Sequence, residues 1–181
     1  LEEGYGLNPI AIDTLKKQGV ELIVTVDCGI TANHEATLCR ELGIDLVITD
    51  HHECKSELPQ AIALVDPHRK DQPQPVTEMA GVGVAFKLAA AIEGEQETLL
   101  DQYCDFLCLG TVADVMPLTG ENRTMVARGL KALENPRRVG IAALMAECSV
   151  QKGPVTAGTI GYTLAPRINA AGRMGEVGIA T

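Results

Sequence analysis

The sequence predicts an α/β protein, a parallel sheet flanked by helices with a C-terminal helical lobe, and three features carry that expectation. Residues 20–26 and 44–49 are rich in β-branched side chains and nearly continuously apolar, as strands buried in a parallel sheet must be. Between them, residues 31–42 place Ala36, Leu38, Cys39 and Leu42 at roughly helical spacing, with Gly43 as the stop. Strand, helix and strand in this order make a βαβ unit, whose crossover is almost always right-handed. From Glu95 onward the periodicity is mostly helical.

Taken in order, Asn8 before Pro9 is a helix start, an Asn cap followed by Pro at the first helical position, and Gly19 ends that helix. The first strand runs into Asp27-Cys28-Gly29, and the second ends in Asp50-His51-His52. Residues 61–65 suit a third strand before Asp66-Pro67. A Pro-rich loop over residues 71–75 leads to a helix at 80–92, rich in small residues and able to pack closely on a sheet. Further helices are expected at 98–114, 123–133 and 140–148. The chain thus divides into an α/β core, residues 1–94, and a helical lobe, residues 95–181.

With 181 residues, 46% of them hydrophobic, the chain can bury a core. No stretch approaches the roughly 18 to 20 apolar residues of a membrane span, and Leu1-Glu2-Glu3-Gly4-Tyr5 has neither the basic nor the apolar part of a signal peptide. A cytoplasmic protein without a membrane partner is the expectation. The absence of an initiator Met and of a stop signal at Ile179-Ala180-Thr181 reads as an excised piece. Cys28, Cys39, Cys54, Cys104, Cys108 and Cys148 form no CxxC pair and no zinc spacing, so they are expected to be plain thiols. A formal charge of −9 argues against a broadly basic surface that coats nucleic acid. Carboxylates gathered at a metal site would escape that argument, since the metal neutralises them.

Ligands of open α/β sheets bind beyond the carboxyl ends of the strands, where both Asp27 and Asp50-His51-His52 are expected. Were the two strands neighbours, about 4.8 Å apart, a carboxylate and two imidazoles would meet on one edge as the outline of a metal site. Such mixed ligands suit Mn²⁺, Fe²⁺ or Zn²⁺, and oxygen-rich surroundings favour Mn²⁺ or Mg²⁺. A polar residue at a strand end is commonplace, so Asp27 alone decides nothing, but two adjacent histidines after an aspartate have little structural reason to stand there. Asp114 is the third candidate, because an acid in so apolar a stretch is costly to bury without a cation or strong donors; the alternative is a helix cap or an exposed carboxylate. His34 and His68 lack comparable context and read as surface residues.

Five segments carry a resemblance. Val26-Asp27-Cys28-Gly29, Thr49-Asp50-His51-His52, Ala80-Gly81-Val82-Gly83-Val84-Ala85-Phe86-Lys87, Gly110-Thr111-Val112-Ala113-Asp114-Val115-Met116-Pro117-Leu118 and Pro166-Arg167-Ile168-Asn169-Ala170-Ala171-Gly172-Arg173-Met174 resemble, in order, motifs of the RecJ-type exonucleases of the DHH phosphoesterase family. The first two are shared across DHH enzymes, and the last three look specific to the RecJ type. Gly81-Val82-Gly83 is not a dinucleotide fingerprint, since it lacks the third glycine and follows no strand directly.

The resemblance implies a metal-dependent 5′→3′ exonuclease that hydrolyses phosphodiester bonds of single-stranded DNA in repair and recombination, with two Mn²⁺ or Mg²⁺ ions in the intact enzyme. It makes Asp27 a carboxylate bridging two ions and His51 and Asp114 ligands of one of them. Asp50 would orient the histidine pair, and His52 would lie by the scissile phosphate. Arg167, Asn169 and Arg173 would face the DNA backbone, although without the resemblance they read as an ordinary solvated loop. Single-stranded DNA is the implied partner, with a single-strand-binding protein or a helicase as protein partners. The family's Asp-x-Asp-Gly motif on a first strand and a second, DHHA1-type domain are missing here, so the chain is expected to hold at most one ion well and to be inactive alone. The alternative is a DHH phosphodiesterase acting on short RNA or cyclic dinucleotides; a non-catalytic scaffold ranks below both, because such proteins tend to lose the ligands that this chain keeps.

Overall fold

The computed structural model describes residues 6–71, 78–150 and 153–173, which leaves most of the Pro-rich loop outside the described residues. The chain separates into two compact units, Leu1–Leu88 and Ala89–Thr181. In the first, the parallel strands β1 (Leu22–Val26), β2 (Asp45–Thr49) and β3 (Ala63–Val65) form a sheet of order β1-β2-β3, the α/β architecture expected. Helix α1 (Pro9–Lys17) begins as its sequence dictates: Asn8 Oδ1 accepts the Ala11 N–H at 2.8 Å, and Lys16 and Lys17 close the last turn at the negative end of the helix dipole. It packs on α2 (Asn33–Glu41), which lies on β2, and Ile12, Ala36, Cys39, Leu46 and Ile48 make the shared apolar core.

β1 is less buried than its apolar run predicts. Leu22, Val24 and Val26 are 54%, 46% and 51% exposed, since they alternate onto one face of an edge strand while Thr25 turns inward. Pairing matches Val26 with Thr49 and Thr49 with Val65, so the next residues along, Asp27, Asp50 and Asp66, form a row of acids across the sheet's carboxyl edge. The ladder reaches into that row, for Asp27 N–H donates to Thr49 O and Asp50 N–H to Val65 O, each at 3.0 Å.

Helix α3 (Gly81–Glu93) carries the chain into the second unit, which is helical throughout its described length. There α4 (Gln96–Ala113) packs along α5 (Gly120–Leu133), followed by α6 (Val139–Glu147). Cys108, Val126, Leu133, Ile141, Ile160 and Leu164 belong to its core. The closing motif is helical where a loop was the alternative: α7 (Ala157–Thr159), a π-helical turn (Ile160–Leu164) and α8 (Ala165–Arg173) follow without a break. The wide turn has a physical cause in Pro166, which has no N–H to donate and whose ring would crowd a regular turn; the Ala165 N–H reaches back instead to Ile160 O.

Candidate metal centre

Asp27 holds an unusual backbone position. Its φ of +66° lies in the left-handed region, which Asp tolerates better than most residues, and Gly29 follows at φ +113°. Two hydrogen bonds fix the turn: Thr25 Oγ1 donates to Cys28 O at 2.7 Å, and the Ile30 N–H donates to Asp50 Oδ2 at 2.9 Å. The chain therefore reverses sharply at the end of β1, with Asp27 at the corner.

Asp50 and His51 come from the end of β2. Asp50 is 1% exposed, and its Oδ1 accepts the His51 N–H at 2.8 Å and lies 2.7 Å from His52 Nδ1. Burial pushes the Asp50 carboxyl up, but the bonds from Ile30, His52 and His51 outweigh it and hold the group below the ordinary carboxylate range. Asp50 thus holds the His51 backbone and the His52 ring, and the two imidazole centroids are 4.5 Å apart. His51 is buried, and its Nε2 lies 3.0 Å from Asp27 Oδ1.

Asp27, His51 and His52 each offer a ligand atom, all within 4.8 Å of one another. Donors at right angles, each about 2.1 Å from a shared ion, stand roughly 3 Å apart, so the Asp27–His51 spacing fits a divalent cation. One carboxylate and two imidazoles also suit first-row transition metals. Charge is available as well, with Asp50 behind the pair and Asp66 beside it in the row.

The other expected residues lie in the second unit. Asp114 is exposed at the C-cap of α4, its N–H donating to Gly110 O at 3.0 Å, where a negative charge opposes the helix dipole. Arg167 and Asn169 are exposed on α8, and Arg167 Nη1 donates to Thr163 O at 2.7 Å. Asn169 lines an open cleft of about 360 Å³ with Gly161, Ala165 and Ala113, the last of these being the chain neighbour of Asp114. Arg173 ends α8, and its side chain lies outside the described residues.

The six cysteines are free thiols, as expected, and burial pushes Cys108 up to about 12, far from reactivity. His34 is exposed, but His68 is not the surface residue its context suggests: its side chain is 22% exposed and lies 3.6 Å from Asp66 Oδ1. Asp66 is the acid that the sequence reading passes over. It is fully buried, accepts the His68 N–H at 2.7 Å, and burial foremost raises its carboxyl above the usual range. The signal was present, since a third strand also runs into an aspartate.

Known proteins resemble this chain over nearly its whole length. The chain is 46% identical over 173 residues to the single-stranded-DNA-specific exonuclease RecJ of Bacillus subtilis (strain 168), which covers 96% of this chain and 22% of that protein. It is 36% identical over 184 residues to the protein of that name from Thermus thermophilus, across 97% of this chain and 26% of the relative. The crystal structure of an exonuclease RecJ bound to manganese superposes with a TM-score of 0.83 at 35% identity, over 99% of this chain and 45% of the other. The chain therefore spans less than half the length of each. Residues 4–111 match the DHH family, N-terminal domain, and with strands that end in Asp27 and in Asp50-His51-His52, the chain belongs to that family.

Proposed function

We propose that this chain is the metal-binding part of a 5′→3′ exonuclease that hydrolyses phosphodiester bonds of single-stranded DNA. The observation that carries the reading is the Asp27–His51–His52 cluster at the carboxyl edge of the sheet, in a chain similar to single-stranded-DNA-specific exonucleases. Asp27, His51 and Asp114 would hold Mn²⁺ or Mg²⁺ in the intact enzyme. When bound, such ions supply Lewis-acid polarisation of the phosphodiester and a nucleophile at neutral pH. Asp50 keeps His51 and His52 in their orientations through the bonds described above. His52, exposed on its outer side, is placed to stabilise charge on the scissile phosphate or to deliver a proton to the leaving oxygen.

Arg167, Asn169 and Arg173 are assigned to the DNA backbone. No acid occurs between Glu147 and Glu176, so in a chain of net charge −9 the closing helix is locally basic, as a phosphate contact requires. The finer expectations belong to the same proposal: a role in repair and recombination, a cytoplasmic setting, and a single-strand-binding protein or a helicase as partner. Among the described residues no helix is long and apolar enough to cross a membrane.

The test is replacement of Asp27 by Ala. Calorimetric titration of the chain with MnCl₂ is expected to show binding that Asp27→Ala removes. In a polypeptide extended to the relatives' length, the same change is expected to abolish manganese-dependent digestion of a long single strand. Unchanged digestion overturns the reading, and a preference for dinucleotides over the long strand replaces it with a short-oligonucleotide phosphodiesterase.

A further inference from the structure

The paired glycines Gly81 and Gly83 at the head of α3 are explained neither by the proposed ligand set nor by a dinucleotide fingerprint. They differ in what a methyl group would meet. A Cβ built on Gly83 would come within 3.1 Å of Met79 Cβ, a tight contact that a shift of a few tenths of an ångström relieves. A Cβ on Gly81 would lie 2.3 Å from Asp27 Oδ1 and 2.5 Å from Asp27 Cβ and Cγ, distances no real pair of atoms tolerates.

Conformation does not account for Gly81, which is absent from the positive-φ glycines and sits in a helix that alanine would favour. Asp27 cannot readily give way either. Its backbone is set at the corner of the turn, with its N–H bonded to Thr49 O at 3.0 Å, and its Oδ1 is 3.0 Å from His51 Nε2. The carboxylate is bounded by an imidazole on one side and by the start of α3 on the other. A helix start is a favourable neighbour for a carboxylate, because its N–H groups carry partial positive charge.

We propose that Gly81 is a positioning residue: its missing side chain lets the first turn of α3 close on Asp27 and hold the carboxylate against His51. The inference rests on the reading of Asp27 as a cation ligand and deepens it, since Gly81 acts through Asp27. Gly83 supplies the matched control in the same turn.

The experiment has two arms. Calorimetric titration with MnCl₂ is expected to show Gly81→Ala weakened by about 10- to 100-fold, the range typical when a ligand loses its supporting contact, with Gly83→Ala binding as wild type does. Equal affinity of Gly81→Ala and wild type overturns the proposal. The second arm needs no metal: thermal unfolding of Gly81→Ala, Asp27→Gly and the double variant. Gly81→Ala is expected to lower Tm, or to prevent folding, only while the Asp27 side chain is present, and the double variant is expected to melt no lower than Asp27→Gly alone. An equal loss of Tm in both backgrounds overturns the proposal. A wild-type chain that takes up no Mn²⁺ defeats the functional reading instead, while the unfolding cycle still decides whether Gly81 sets the place of Asp27.

Discussion

Gly129 in the second unit and Gly81 in the first both stand where a methyl group would overlap a neighbour, but the neighbours differ in kind. At Gly129 a Cβ would lie 2.2 Å from Cys104 O and from Cys108 Cβ, so α5 rests directly on the backbone of α4, beside an apolar core. At Gly81 the space is taken by a carboxylate on the rim of a sheet. Carboxylates follow the same division. The first unit buries Asp50 and Asp66 almost completely, whereas in the second Arg128 pairs with the exposed Glu97 and Asp101, and Asp105 beside Arg138 keeps 13% of its side chain exposed. Close approach serves packing in one region and the placement of charge in the other, and buried charge is tolerated only when its partners are all in place.

The largest expected effect is on Asp50. Asp50→Ala removes the acceptor for the buried Ile30 and His51 N–H groups, and a loss of about 3 kcal/mol is expected by urea unfolding. Gly129→Ala comes next: overpacking against a rigid carbonyl is expected to cost about 2 kcal/mol, with Mn²⁺ affinity unchanged at a temperature where the variant is folded. If Gly129→Ala weakens Mn²⁺ binding as much as Gly81→Ala does, the division between packing and charge placement fails.

How much of this division is legible in the sequence depends on the range of the interaction. The strands show through because an unbroken apolar run has few other uses, and their ends show through because Asp27 and Asp50 interrupt those runs. Asp66 does not, since β3 is only three residues long and Asp-Pro reads as an ordinary turn. The closing helix is masked by Gly158, Gly161 and Pro166, each a helix breaker taken singly; only the π-helical turn reconciles Pro166 with a continuous helix. Gly81 is conspicuous in its motif, but the atom it avoids belongs to Asp27, far away in the chain, and no local pattern encodes that contact.

A smaller effect is expected at Arg138, which three contacts anchor in the second unit. Its Nε donates to Asp105 Oδ2 at 2.8 Å, its Nη2 donates to Gln102 O at 2.8 Å, and its guanidinium carbon lies 4.1 Å from the centre of the Phe106 ring. Arg138→Ala is expected to cost about 1 kcal/mol in urea unfolding and to leave Mn²⁺ binding untouched. A loss of Mn²⁺ affinity there would mean that the anchoring of α4 also sets the place of Asp114 as a ligand.

The smallest effect is a pH dependence at Asp66. Burial raises its carboxyl foremost; the His68 N–H opposes that rise, Asp50 adds to it, and His68 and His51 lower it. A group whose folded value lies above its unfolded value of 3.8 binds its proton more tightly in the fold, so its contribution is complete below that pH and falls away as pH rises through the folded value. Asp66→Asn keeps an acceptor for the His68 N–H but cannot ionise. The Tm of the metal-free variant is therefore expected to gain on wild type as pH rises from the ordinary carboxylate range, with the difference vanishing below it. Saturating Mn²⁺ is expected to reduce that gain if a cation at the rim stabilises the ionised row of acids. A Tm difference that does not vary with pH would show that Asp66 keeps one protonation state throughout, and that the row carries no cost of ionisation for a cation to relieve.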